Sequence, residues 1–136
     1  MDNIPLIQIK QILIASLQGD INDNMALSLQ QRILEKIYAS GSQGVLIDIS
    51  MLDMVDSYLG RIISETIKMV ELLGAKAVLT GMKPYIAITM MELGLNINGI
   101  EIASNSDVGF QILEEHIKSN NFEVVQPDDL YEQEVE

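Results

Sequence analysis

Two short and almost unbroken apolar runs constrain this chain more than any other feature. Val45-Leu46-Ile47-Asp48-Ile49 and Ala75-Lys76-Ala77-Val78-Leu79-Thr80 both have the character of strands covered on two faces. A strand with one wet face would alternate apolar and polar residues along its length, and these runs barely do. Between them Leu59, Ile62, Ile63, Thr66, Val70 and Leu73 recur at three- and four-residue spacing and stop at Gly74, the pattern of a helix with one apolar face. Strand, helix and strand in that order imply a parallel pair with a right-handed crossover.

The rest of the chain extends the alternation. Ile4 to Ile9 and Ile12 to Leu17 read as two strands, joined tightly through Lys10-Gln11. The turn-rich stretch Asp20-Ile21-Asn22-Asp23-Asn24 leads into a helix that Asp23 is expected to cap, with Ala26, Leu29, Ile33 and Ile37 inward and Gly41 as its stop. Pro84 suits the first turn of a helix ending near Gly94. A weak strand, Ile100 to Ala103, precedes a last helix from Ser106 to about Lys118, with Val108, Ile112, Leu113 and Ile117 inward. The expected order is ββαβαβαβα. That is a single α/β domain, a mixed and mostly parallel sheet with an antiparallel N-terminal hairpin, packed with about four helices.

Charge narrows the function. Twenty acidic residues face eight Lys and Arg, a net charge of −12, so binding to phosphate backbones or anionic lipid is disfavoured. Six of the acids and no base lie between Glu123 and Glu136, which carries half of that net charge. With Pro127 inside it and little apolar periodicity, this end is expected to be a solvated, mobile tail that folding can do without. The expected boundary places the folded domain at 1–120 and the acidic tail at 121–136. The absence of cysteine removes thiolate nucleophiles and thiolate-ligated metals, and the single histidine, His116, leaves no material for a zinc cluster. His116 follows Glu114 and Glu115 on the last helix and reads as a surface residue. No apolar stretch approaches the ~18 residues of a membrane span, and the first residues lack a basic, apolar leader. A soluble cytoplasmic protein is expected.

Glycine-rich phosphate loops and nucleophile elbows are missing as well. What stands apart is Ile47-Asp48-Ile49-Ser50-Met51-Leu52-Asp53-Met54-Val55-Asp56-Ser57-Tyr58-Leu59-Gly60, where a buried strand ends, a loop carries two acids, and Ser57 arrives at a helix start. One account is that Asp56 or Ser57 caps the helix by accepting an orphan N–H. The other is that Ser57 is a hydroxyl shown to a kinase. A phosphate there would meet helix N-terminal N–H groups, and would also add about −1.5 to −2 charge beside Asp53 and Asp56.

The element order and the segment from Asp48 to Leu59 resemble the STAS domain family of bacterial anti-sigma-factor antagonists, whose members carry a phosphorylatable serine after an aspartate at the start of the second helix. Ile4-Pro5-Leu6-Ile7, Gly44-Val45-Leu46-Ile47-Asp48, Leu73-Gly74-Ala75-Lys76-Ala77-Val78-Leu79-Thr80-Gly81 and Glu92-Leu93-Gly94 carry the likeness along residues 4 to 118. Many of those antagonists show Asp-Ser-Ser-Gly at the site; this chain has Asp56-Ser57-Tyr58-Leu59, which resembles instead the RsbS-like scaffolds of the stressosome. The resemblance implies a non-enzymatic, cofactor-free and metal-free phosphoswitch. It implies co-assembly with RsbR-type paralogues and capture of an RsbT-type serine/threonine kinase. Phosphorylation of Ser57 would release that kinase, and an RsbX-type phosphatase would reset the switch. The implied kinase-binding surface is Asp53, Asp56, Ser57, Tyr58 and Gly60. Two rivals stay open: an antagonist that binds an anti-sigma kinase directly, and a small enzyme or nucleotide-binding domain using Asp23, Asp48 and Asp56 around a metal.

Overall fold

Strand-forming β-branched and aliphatic runs here alternate with segments of helical period, and each settles where that period predicts. The computed structural model describes residues 4–95 and 97–123. Its elements are β1 (Leu6–Ile9), β2 (Ile12–Gly19), α1 (Asp23–Ser40), β3 (Gly44–Leu52), α2 (Ser57–Leu72), β4 (Lys76–Thr80), α3 (Pro84–Glu92), β5 (Glu101–Ala103) and α4 (Ser106–Glu123). The five strands lie in chain order, β1-β2-β3-β4-β5. β1 pairs antiparallel with β2, Leu6 opposite Ala15 and Ile9 opposite Ile12, and the remaining three pairings are parallel. Lys10 turns the hairpin with φ 55°, the one non-glycine residue of positive φ among those described.

Alternate residues of each strand feed two cores. Leu13, Ala15 and Leu17 of β2, Val45, Ile47 and Ile49 of β3, and Ala77 and Leu79 of β4 are buried against α1, α2 and α3. Ile12, Leu46, Val78 and Ala103 point the other way and meet Leu113 of α4. Both faces are therefore apolar, which is why the central runs show so little alternation. α4 lies close to the sheet because Gly109 faces it: a Cβ there would come within 2.5 Å of Thr80 Cγ2 and 3.1 Å of Leu46 Cδ1.

Several details differ from the expectation. Asn22, not Asp23, caps α1: its Oδ1 accepts the Met25 N–H at 2.8 Å, and Asp23 is already helical. Asx residues in a row compete for the cap, and the one with extended backbone takes it. β2 and β3 run on to Gly19 and Leu52, past their apolar runs, because Gln18 pairs with Met51 and Gly19 with Leu52 beyond a register shift after Ser16. Val108 is exposed, since the face of α4 that meets the sheet runs through Gly109 and Leu113. Leu73 is also exposed; α2 ends one residue earlier. α4 continues to Glu123, so residues 121–123 belong to the helix and not to the acidic tail. The tail proper, from residue 124, lies outside the described residues.

Candidate functional site

The loop between β3 and α2 is short and is anchored at Asp53, Val55 and Asp56. The Asp53 N–H donates to the Gly19 carbonyl at the end of β2, 3.1 Å away. The Tyr85 hydroxyl, from the first turn of α3, donates to the carbonyls of Asp53 at 3.0 Å and Leu52 at 3.3 Å. The Val55 side chain is buried in the larger core. Asp56 then starts α2: it has extended backbone (φ −95°, ψ 178°), its Oδ1 accepts the Leu59 N–H at 2.8 Å and its carbonyl accepts the Gly60 N–H at 3.0 Å.

That geometry settles which of Asp56 and Ser57 caps α2. Asp56 is the cap, and Ser57 is the first helical residue, exposed, with no capping duty. An aspartate cap also suits the positive end of the helix dipole. The neighbourhood of the hydroxyl is mixed in charge. Asp53 and Asp56 are exposed beside it, whereas Arg61 lies one helical turn on and holds its guanidinium 5.7 Å from the centre of the Tyr58 ring. A phosphate on Ser57 would gain Arg61 and the helix start, and would be opposed by the two carboxylates.

The residues singled out from the sequence do not all reach the surface. Asp53, Asp56 and Ser57 are exposed, and Tyr58 is half-buried against the larger core. Gly60 is buried and cannot belong to an exposed docking surface: the chain packs Leu95 over it, so closely that a Cβ would collide with Leu95 Cδ1. Met54 stands out at 64% exposure, directly between the pinned residues Asp53 and Val55.

Asp23, Asp48 and Asp56 do not converge. Asp48 Oδ1 accepts the Ser50 N–H at 2.9 Å at the end of β3, Asp56 is engaged at α2, and Asp23 sits in the first turn of α1. Among the described residues no three His, Asp or Glu side chains are grouped to hold a metal ion. His116 lies on α4, beside Asn120 Nδ2 at 3.1 Å, on the opposite face of the sheet from α2. No described helix is long and apolar enough to cross a membrane.

Sequence reasoning missed Tyr85 and Arg61. The Arg61 position carries a findable signal, a base four residues after Ser57 on one helix face. Tyr85 carries none, because its partners lie 32 and 33 residues away and are backbone atoms.

Comparison with known proteins places this architecture. The STAS domain profile matches residues 3–107. The structure superposes on RsbS of Moorella thermoacetica, in a form with one serine replaced by glutamate, with a TM-score of 0.76 and 30% identity, covering 85% of this chain and 97% of that one. A chain from the molecular architecture of the stressosome, described as a signal integration and transduction hub, matches with a TM-score of 0.71 and 30% identity, covering 83% of this chain and 98% of that one. The RsbT co-antagonist protein RsbRA of Bacillus subtilis (strain 168) is 32% identical over 108 residues, which is 79% of this chain and 39% of the relative. The chain spans between 30% and 39% of the length of the curated relatives it matches. A profile that covers most of the chain, together with the mixed five-stranded sheet, establishes that the chain belongs to the STAS domain family.

Proposed function

We propose that this chain is a non-enzymatic scaffold and phosphoswitch of a stressosome-type complex in bacterial general stress and sigma-factor signalling. In this reading it assembles in the cytoplasm with RsbR-type STAS paralogues and sequesters an RsbT-type serine/threonine kinase. Phosphorylation of Ser57 releases the kinase, and an RsbX-type phosphatase restores the captured state. The observation that carries the reading is the placement of Ser57: an exposed hydroxyl, relieved of capping by Asp56, at the start of α2 directly after a loop anchored to β2 and α3. The likeness to RsbS over nearly the whole of that protein supports the scaffold role.

Exposure narrows the competing hydroxyls without leaving Ser57 by itself, since Ser40, Ser104 and Ser119 are exposed too. Thr80 and Ser64 are buried at 0% and 7% exposure, and Ser106 is half-buried. Incubation with the kinase and ATP, followed by mass spectrometry, should place the phosphate on Ser57. Phosphate found mainly on Ser64, Ser106 or Thr80 would overturn the assignment. Mixing with an RsbR-type partner should produce a large assembly on size exclusion. A one-to-one complex with an anti-sigma kinase, and no large assembly, would favour the directly acting antagonist.

Asp56 has a double part in this reading, as cap and as the charge next to the acceptor. Asp56→Ala should cost about 1 kcal/mol of stability, the ordinary contribution of a cap. Phosphorylation should slow more than that loss explains, because the first turn of α2 no longer fixes the direction of Ser57. Thermal melts and initial phosphorylation rates on the same preparation check both. Unfolding of the variant, with normal modification of its folded fraction, would remove Asp56 from the switch.

A further inference from the structure

The loop before Ser57 is tied to three different elements, and the tie to α3 is made by one residue. Tyr85 follows Pro84 in the first turn of α3, and α3 is itself seated by Ile86 and Met90, which are fully buried. The Tyr85 hydroxyl has one proton and shares it between the carbonyls of Asp53 and Leu52, at 3.0 and 3.3 Å. The residue is 48% exposed, with Lys83 Nζ 5.9 Å from the ring centre. Such a ring contributes little to the core. Its shorter hydrogen bond goes to the carbonyl of Asp53, an exposed loop residue that water could satisfy as well, so its worth to folding is small. What water cannot supply is a fixed point. The other ties act on the Asp53 N–H, on the Val55 side chain and within α2. The Leu52 carbonyl shares its peptide plane with the Asp53 N–H, which Gly19 already holds, so what Tyr85 alone among these ties fixes is the Asp53 carbonyl, and with it the peptide that leads into residues 54–57.

We propose that Tyr85 is a positioning residue for the modification of Ser57, holding residues 53–57 in the conformation that the kinase recognises. This rests on the phosphoswitch reading of Ser57. Without the hydroxyl the loop samples other courses, and a partner that binds only the ordered one sees its affinity reduced by the ordered fraction.

The test is Tyr85→Phe in the full chain, which keeps the ring and removes only the hydroxyl. Three measurements are made beside wild type: phosphorylation kinetics with an RsbT-type kinase and ATP, amide hydrogen exchange, and the thermal midpoint. The KM for this chain should rise about fivefold, equivalent to about 1 kcal/mol, with kcat within about twofold of wild type. Faster exchange should be confined to residues 53–57. A purely structural role would lower the thermal midpoint and leave KM and the local exchange pattern unchanged, and that result would overturn the inference. So would faster exchange spread through the sheet. Absence of phosphate on Ser57 in the wild-type arm would overturn the underlying reading, and that arm alone decides it. Unchanged KM in the variant, with wild type modified normally, would remove only the role of Tyr85.

Discussion

Replacing Ser57 by Ala should yield a folded domain that captures its kinase and cannot release it. Stability should change by no more than about 0.5 kcal/mol, because Asp56 keeps the cap and the Ser57 side chain is exposed. In a pull-down, ATP should detach the kinase from wild type and leave it on Ser57→Ala, with incorporation of phosphate reduced by more than about a hundredfold. Ser57→Asp should release only partly, since one carboxylate brings less charge and fewer acceptor oxygens than a phosphate. The release itself should be local. α2 is anchored by Leu59, Ile62, Ile63, Ile67 and Val70, all buried. Full burial of one such side chain is worth about 1.5–3 kcal/mol, whereas a charge at a helix start contributes about 0.3–1 kcal/mol. The packing wins, so both phosphorylation states should share one backbone and differ at the surface of Asp53, Asp56 and Ser57. Amide chemical shifts should therefore move near residues 53–61 and remain still in α4. Shifts spread through the sheet and α4 would mean a global change, and release of the kinase from Ser57→Ala on adding ATP would remove Ser57 from the switch.

The sequence made the middle of the fold legible because both sheet faces are buried there. Val45 to Ile47 and Ala77 to Leu79 are apolar on both sides, and that pattern has few structural solutions. It blurred where one face loses its cover. Asp48 and Ser50 lie on the α4 side at the end of β3, half-buried, and their polarity hides the strand's continuation to Leu52. Helix ends were readable to within a residue or two except in α4, which runs to Glu123 instead of about Lys118, and Asn22 against Asp23 shows a further limit: two neighbouring Asx residues cannot be ranked without their backbone angles. At the site, Ser57 and Asp56 were visible because helix starts have a local grammar. Their division of labour was not, since it depends on which residue adopts the extended φ and ψ. Gly60 stands in the surface that the family resemblance implies, but Leu95 arrives over it from 35 residues away and buries it, which no local pattern announces. Tyr85 was invisible for the same reason: its contact is with main-chain atoms that no residue type announces.

The largest stability effect should come from Gly81→Ala, and Gly74→Ala supplies its control. Both glycines have positive φ, 82° and 89°, where any Cβ is strained. They differ in what surrounds them. A Cβ on Gly74 meets nothing within 4 Å, whereas one on Gly81 would lie 2.6 Å from Ser50 Cβ, 2.7 Å from the Ser50 backbone nitrogen and 2.8 Å from Asp48 Oδ1. The Ser50 nitrogen cannot swing aside as a side-chain end can. It belongs to β3 and donates to Asp48 Oδ1 at 2.9 Å, so relief requires moving a strand or the turn between β4 and α3. Gly74→Ala should thus cost about 1–2 kcal/mol, the conformational term alone. Gly81→Ala should cost about 2–5 kcal/mol, because overpacking adds about 1–3 kcal/mol to the same strain. Thermal or urea unfolding of the pair measures the difference, and equal midpoints would show that the contact relaxes freely. The consequence reaches the site. Gly81 precedes α3 by three residues, and α3 carries Tyr85, whose hydroxyl ties down the loop before Ser57. Whatever Gly81→Ala remains folded should bring Tyr85 out of register with the Asp53 carbonyl, and should be phosphorylated with a raised KM. Gly74→Ala lies at the far end of α2 and should be phosphorylated as wild type is.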